Sequence, residues 1–175
     1  MNNLPNLMFH EILDDFKIKS GWNLESIGKY TITKKKFDWI INKFGNSVNY
    51  TFDDGGKSNL YASEQLKKKN IKGIFFISTD FIGCNGFLNF EEIEYMSKSH
   101  HIFSHGHKHL MTCFNRNDLK NDWNNSIQTI KNFNFRSDVV CLPGGTFSRN
   151  HYSVFQNSGI KYVYHSAPTN IILLF

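Results

Sequence analysis

Cysteine is scarce in this sequence: Cys84, Cys113 and Cys141 are odd in number and no two of them stand three positions apart. That argues against a disulfide framework and against a C-x-x-C zinc or redox site, and it fits a reducing compartment. Long apolar runs are missing as well, since nothing approaches the roughly 18 consecutive apolar residues of a membrane-spanning helix. The opening Met1-Asn2-Asn3-Leu4-Pro5 has no basic stretch leading into an apolar one, as a secretory leader requires. A cytoplasmic protein with no membrane span is the expectation. There are no internal repeats and no low-complexity tracts.

What is present is the composition of a folded domain. Apolar residues make up 40% and charged residues 20% of 175 positions, with 17 Phe and 7 Tyr, far from the polar, highly charged signature of disorder. The length suits one domain over residues 1–175 with a sizeable core. A net charge of +5 raises the question of nucleic acid. The basic runs Lys34-Lys35-Lys36 and Lys67-Lys68-Lys69, however, lie beside Phe37, Ile40, Ile41, Leu60 and Leu66 at helical spacing. They read as solvated faces of amphipathic helices, and no nucleic-acid partner is expected.

Short β-rich runs alternate with stretches of helical period, the pattern of an α/β domain with a mainly parallel sheet. Six strands are expected, near residues 7–9, 48–52, 73–78, 101–104, 139–142 and 160–165. Thr33 caps a helix running to Phe44 and ended by Gly45; Ser58 or Asn59 opens another that fades at Asn70. Further helices are expected over residues 90–96 and 118–133, and from Ser148 to before Gly159.

In such folds chemistry gathers at the carboxyl ends of strands, and three clusters fall there: Asp53-Asp54-Gly55-Gly56, His105-Gly106-His107-Lys108-His109 and Pro143-Gly144-Gly145. Asp-Asp-Gly is either a simple turn or a carboxylate pair whose repulsion a cation relieves. Three histidines in five residues are either an incidental cluster or a grip on one ion, since residues four apart in a helical turn share a face.

Thr51-Phe52-Asp53-Asp54-Gly55 matches the T-F-D-D-G motif of the polysaccharide deacetylases, the NodB-homology or carbohydrate esterase family four group. His105 to His109 resembles that family's H-x-x-x-H motif, and Pro143-Gly144-Gly145 its third, proline-centred motif. Leu7-Met8-Phe9-His10 is similar to the segment that opens the domain in some members. The resemblance implies an irregular (β/α) barrel, α/β in class, and a hydrolase that removes N-acetyl, sometimes O-acetyl, groups from an acetylated sugar polymer or its precursor. It makes Asp53 the base, and Asp54, His105 and His109 the ligands of one divalent ion, with zinc expected. His107 is not a ligand in this pattern. The Pro143, Gly144 and Gly145 loop would meet the substrate and supply a backbone donor to the oxyanion.

Two positions depart from the pattern. Cys141 stands where the third motif usually has Arg, and no late L-x-H match precedes Phe175. The expectation is therefore an incomplete barrel lacking its final strand or strands, a catalyst weakened by a missing general acid, and His10 and His165 as the only histidines placed to substitute. The alternative is a metal- or carbohydrate-binding member of the family without activity.

Overall fold

The structure is a computed structural model that describes residues 4–15, 18–22, 30–111, 115–156, 158–166 and 171–173. The chain divides into two compact units, Met1–Phe75 with Ile82–Ile102, and Phe76–Phe81 with Phe103–Phe175.

The first unit contains β1 (Asn6–Phe9), β2 (Glu11–Ile12), β3 (Thr31–Ile32), α1 (Lys34–Phe44), β4 (Asn49–Phe52), α2 (Asn59–Lys68), the start of β5 (Ile74–Ile77), α3 (Phe90–Ser97) and the start of β6 (His101–Ser104). β1, β4 and β5 are parallel neighbours, with Phe9 opposite Phe52 and Phe52 opposite Phe75. In-register parallel pairing puts like positions side by side, and the three rings form a ladder. Phe9 and Phe52 stack at 5.4 Å and Phe52 and Phe75 at 4.5 Å, with Phe37 of α1 edge-on to Phe9 at 5.4 Å. Each such pair contributes roughly 0.5–1.5 kcal/mol beyond its area.

Thr33 caps α1 by accepting from Lys36 N–H at 3.2 Å, and Gly45 closes it at φ 49°. Phe37 and Ile41 face the core, while Lys35 and Lys36 are exposed. Asn89 and Glu92 form a reciprocal capping box on α3, both bonds at 2.9 Å. Buried His100 accepts from Gly73 N–H through Nδ1 at 3.1 Å and donates from Nε2 to the Ser63 carbonyl at 3.0 Å. It ties α2 to the start of β5 as a neutral ring, and burial holds its pKa below the usual histidine value. The short parallel pair β2 and β3 was not expected from the sequence.

The second unit holds the ends of β5 and β6, then α4 (Arg116–Asn132), β7 (Val139–Cys141), α5 (Arg149–Phe155), β8 (Tyr162–Tyr164) and β9 (Ile171–Leu173). β6, β7 and β8 run parallel, and β9 pairs antiparallel with β8. The edge of β8 is therefore paired, where the sequence predicted no strand after residue 165. α4 begins two residues earlier than expected because Asn115, and not a later residue, caps it, accepting from Asp118 N–H at 3.0 Å. Leu119, Trp123 and Ile127 of α4 pack with Val140, Leu142, Val154, Phe155, Ile160 and Val163. Among the described residues no helix is long and apolar enough to cross a membrane.

Candidate active site

In the first unit the two aspartates leave the carboxyl end of β4. Asp53 N–H continues the ladder by donating to the Phe9 carbonyl at 3.0 Å. The chain then reverses over Asp54: Gly55 N–H donates back to the Asp53 carbonyl at 3.0 Å, with Asp54 at φ 74°. A bond of that span over a positive φ is a γ-turn, a conformation that is strained in a non-glycine residue. Both carboxylates are buried, each 4% exposed. The turn is secured from one side by residues 86–88, through Leu88 N–H to the Gly55 carbonyl at 3.0 Å and Lys57 N–H to the Gly86 carbonyl at 2.9 Å. Two buried adjacent carboxylates in a strained turn are more than a simple surface turn requires.

In the second unit His105 follows β6 and is 1% exposed. Its Nδ1 lies 3.0 Å from the Cys141 carbonyl. A carbonyl only accepts, so Nδ1 carries the proton and Nε2 presents its lone pair, the tautomer of a metal-ligating histidine with an oriented second nitrogen. The His105 and His109 rings lie 5.1 Å apart. They meet through a loop and not through the expected helical turn, because Gly106 and His109 take φ 78° and 56°. His107 points elsewhere: its Nδ1 is 2.9 Å from Thr79 Oγ1 and its Nε2 is 3.3 Å from Asp80.

Sequence reasoning missed what holds this loop. Asp122, 5% exposed on the buried face of α4, accepts from His107 N–H at 2.8 Å and Lys108 N–H at 2.7 Å. Ser126, one turn on, donates to the Gly106 carbonyl at 2.9 Å and pairs with Ser104 at 2.6 Å. The available signal was two polar residues, four apart, within an otherwise apolar stripe. Cys141 in place of the expected arginine contributes its carbonyl to His105.

The third motif is a 3-10 turn with Gly144 and Gly145 at φ 68° and 66°. Gly145 N–H donates to the Leu142 carbonyl at 2.8 Å, and its carbonyl accepts from Ser166 N–H at 2.9 Å. Of the two glycine N–H groups, Gly145's is thus committed. The histidines placed as substitute acids are both described: His10 packs its ring on Tyr30 at 4.8 Å, and burial lowers the pKa of His165.

A family model described as Polysaccharide deacetylase matches residues 42–163, which contain all three motifs. The chain belongs to the polysaccharide deacetylase family. Solved structures share its fold. IcaB from Ammonifex degensii aligns at a TM-score of 0.76 with 18% identity, over 93% of this chain and 83% of that one. A de-N-acetylase from Aggregatibacter actinomycetemcomitans aligns at 0.74 with 15% identity, over 98% and 90%. The deacetylase PplD from Streptococcus pyogenes, in complex with acetate, aligns at 0.72 with 16% identity, over 87% and 78%. No curated protein matches in sequence. The fold is the incomplete NodB-type (β/α) barrel with a mostly parallel sheet, and membership makes the protein a hydrolase of the amide C–N bond in acetylated polysaccharides.

Proposed function

We propose that the protein is a metal-dependent deacetylase that removes acetyl groups, chiefly from nitrogen, from an acetylated glycan or glycan precursor, with Asp54, His105 and His109 holding one zinc ion. The observation that carries this reading is that the matched family stretch contains the aspartate, histidine and proline-glycine motifs together. The donor chemistry supports it: each of the three residues offers one ligand atom, Asp54 and His105 are buried and His109 is half-buried. Two neutral imidazoles and one carboxylate suit zinc and leave positions open for water and substrate. The neighbour described as a de-N-acetylase favours the amide over the ester.

A bound divalent ion supplies Lewis-acid polarisation of the acetyl carbonyl and lowers the pKa of a water. Asp53 would serve as the general base, accepting a proton from the attacking water. Gly144 N–H is the donor the third-motif turn offers to the tetrahedral oxyanion, and the absence of a side chain there lets substrate approach the backbone.

Metal analysis of the purified protein tests the ligand set. Asp54→Ala, His105→Ala and His109→Ala lose bound zinc, His107→Ala keeps it, and Asp53→Asn keeps the metal while losing hydrolysis. Equal zinc loss in His107→Ala and His109→Ala, or metal loss in Asp53→Asn to match Asp54→Asn, contradicts the assignment.

A further inference from the structure

Glu11 of β2 is a buried carboxyl, 2% exposed, that the proposed chemistry leaves unused. Its Oε2 accepts hydroxyl protons from Ser58 at 2.6 Å and from Ser20. Both serines are themselves set by backbone donors: Ile12 N–H donates to Ser58 Oγ at 2.9 Å, and Ser58 N–H donates to Ser20 Oγ at 2.7 Å. Each hydroxyl thus accepts from the main chain and gives its proton to one carboxyl oxygen. This also explains why Ser58 precedes α2 without capping it: its hydroxyl is directed to Glu11.

The other oxygen, Oε1, is seated against glycine. A Cβ on Gly56 would lie 2.0 Å from it and a Cβ on Gly21 2.2 Å. Gly56 is not among the positive-φ glycines, so what bars a side chain there is the carboxyl and not the backbone conformation. Gly56 and Ser58 are the second and fourth residues after Asp54. The residues that follow the γ-turn are therefore held twice, Gly55 and Lys57 by residues 86–88 and Gly56 and Ser58 by Glu11.

We propose that Glu11 is the positioning residue of the Asp54 turn: through its clamp on Ser58 and its seat against Gly56 it sets the Asp54 carboxylate for the metal. The inference rests on the reading of Asp54 as a ligand. Desolvation pushes the Glu11 carboxyl up to about 7, with the charge of Asp54 acting in the same direction against the two serine hydrogen bonds.

Zinc affinity of the full chain, measured by competition with a chromophoric chelator and paired with circular dichroism to confirm folding, tests this. Glu11→Gln keeps an oxygen to accept both serine protons and binds zinc within about twofold of wild type. Glu11→Ala weakens zinc about 10- to 100-fold, the usual effect of losing an outer-shell partner, and Asp54→Ala abolishes it. Wild-type affinity in a folded Glu11→Ala overturns the proposal, as does a loss in Glu11→Gln equal to that in Glu11→Ala. Zinc retained by Asp54→Ala overturns the ligand reading instead. If Glu11→Ala does not fold, Gly56→Ala replaces it: a methyl displacing the carboxyl is expected to weaken zinc about tenfold, and unchanged affinity in the folded variant refutes the positioning role.

Discussion

His151 is 1% exposed in α5, enclosed by the rings of Trp123 at 6.4 Å, Phe147 at 6.0 Å and Phe155 at 5.7 Å, with Ser148 Oγ 3.0 Å from its Nδ1. Burial pushes its pKa down to about 4, from an ordinary value of 6.5. Between those values the unfolded chain holds a proton that the folded chain does not, so stability falls as pH drops through the window and is unaffected above pH 7. At about 1.36 kcal/mol per pH unit, the loss by pH 4 is ~3 kcal/mol. His151→Phe keeps an aromatic in the space and removes the titration. At pH 7 it is expected to lie within about 1 kcal/mol of wild type, the worth of the Ser148 hydrogen bond. Relative to wild type it then gains ~3 kcal/mol by pH 4. Glu11 works in the opposite sense: its pKa, raised to about 7, makes the folded state bind the extra proton, so its contribution to stability is present at low pH and lost as pH rises through 7. The raw wild-type curve therefore mixes the slopes of His151, Glu11 and other shifted groups such as His100 and His165, and the difference between variant and wild type isolates His151. Urea unfolding of metal-free protein in half-unit steps from pH 4 to 7.5 is the assay. A difference that stays flat across the range would show that burial does not hold His151 neutral.

Asp122→Ala leaves His107 N–H and Lys108 N–H without their charged acceptor. At roughly 1.5–3 kcal/mol per bond to a charged group, it should destabilise the chain by at least about 2 kcal/mol and weaken zinc binding through the histidine loop; thermal melts and chelator competition check both, and Asp122→Asn should lose less. Gly145→Ala places a methyl 1.7 Å from Ser166 Oγ at a φ of 66°. A loss of about 2 kcal/mol or more is expected, of which Ser166→Gly in the same chain should recover part in denaturant titrations.

Features set by neighbours in sequence were legible before the fold was known. Thr33 and Gly45 bound α1 as their chemistry predicts, and Ser148 caps α5. The six expected strands appear, because alternation and turn residues are local signals. The motifs do stand at the carboxyl ends of β4, β6 and β7. What could not be read depends on partners far away in the chain. Ser58 was placed at the right position for a cap, but its hydroxyl answers to Glu11, 47 residues earlier. Spacing alone made His105 and His109 a helical turn, whereas the Asp122 carboxylate and the positive φ of Gly106 hold them in a loop. β2, β3 and β9 have two or three residues each, too few to show a period, and exist through pairing alone.

Metal-dependent deacetylation is tested by a zinc titration of metal-stripped full chain, with acetate release from an N-acetylglucosamine oligomer as the readout. Negligible release is expected without metal, with a rise that saturates at one equivalent of zinc and no rise at all in Asp54→Ala. Equal release from the stripped and the loaded protein, with the metal verified absent from the first, would show that hydrolysis does not depend on the metal.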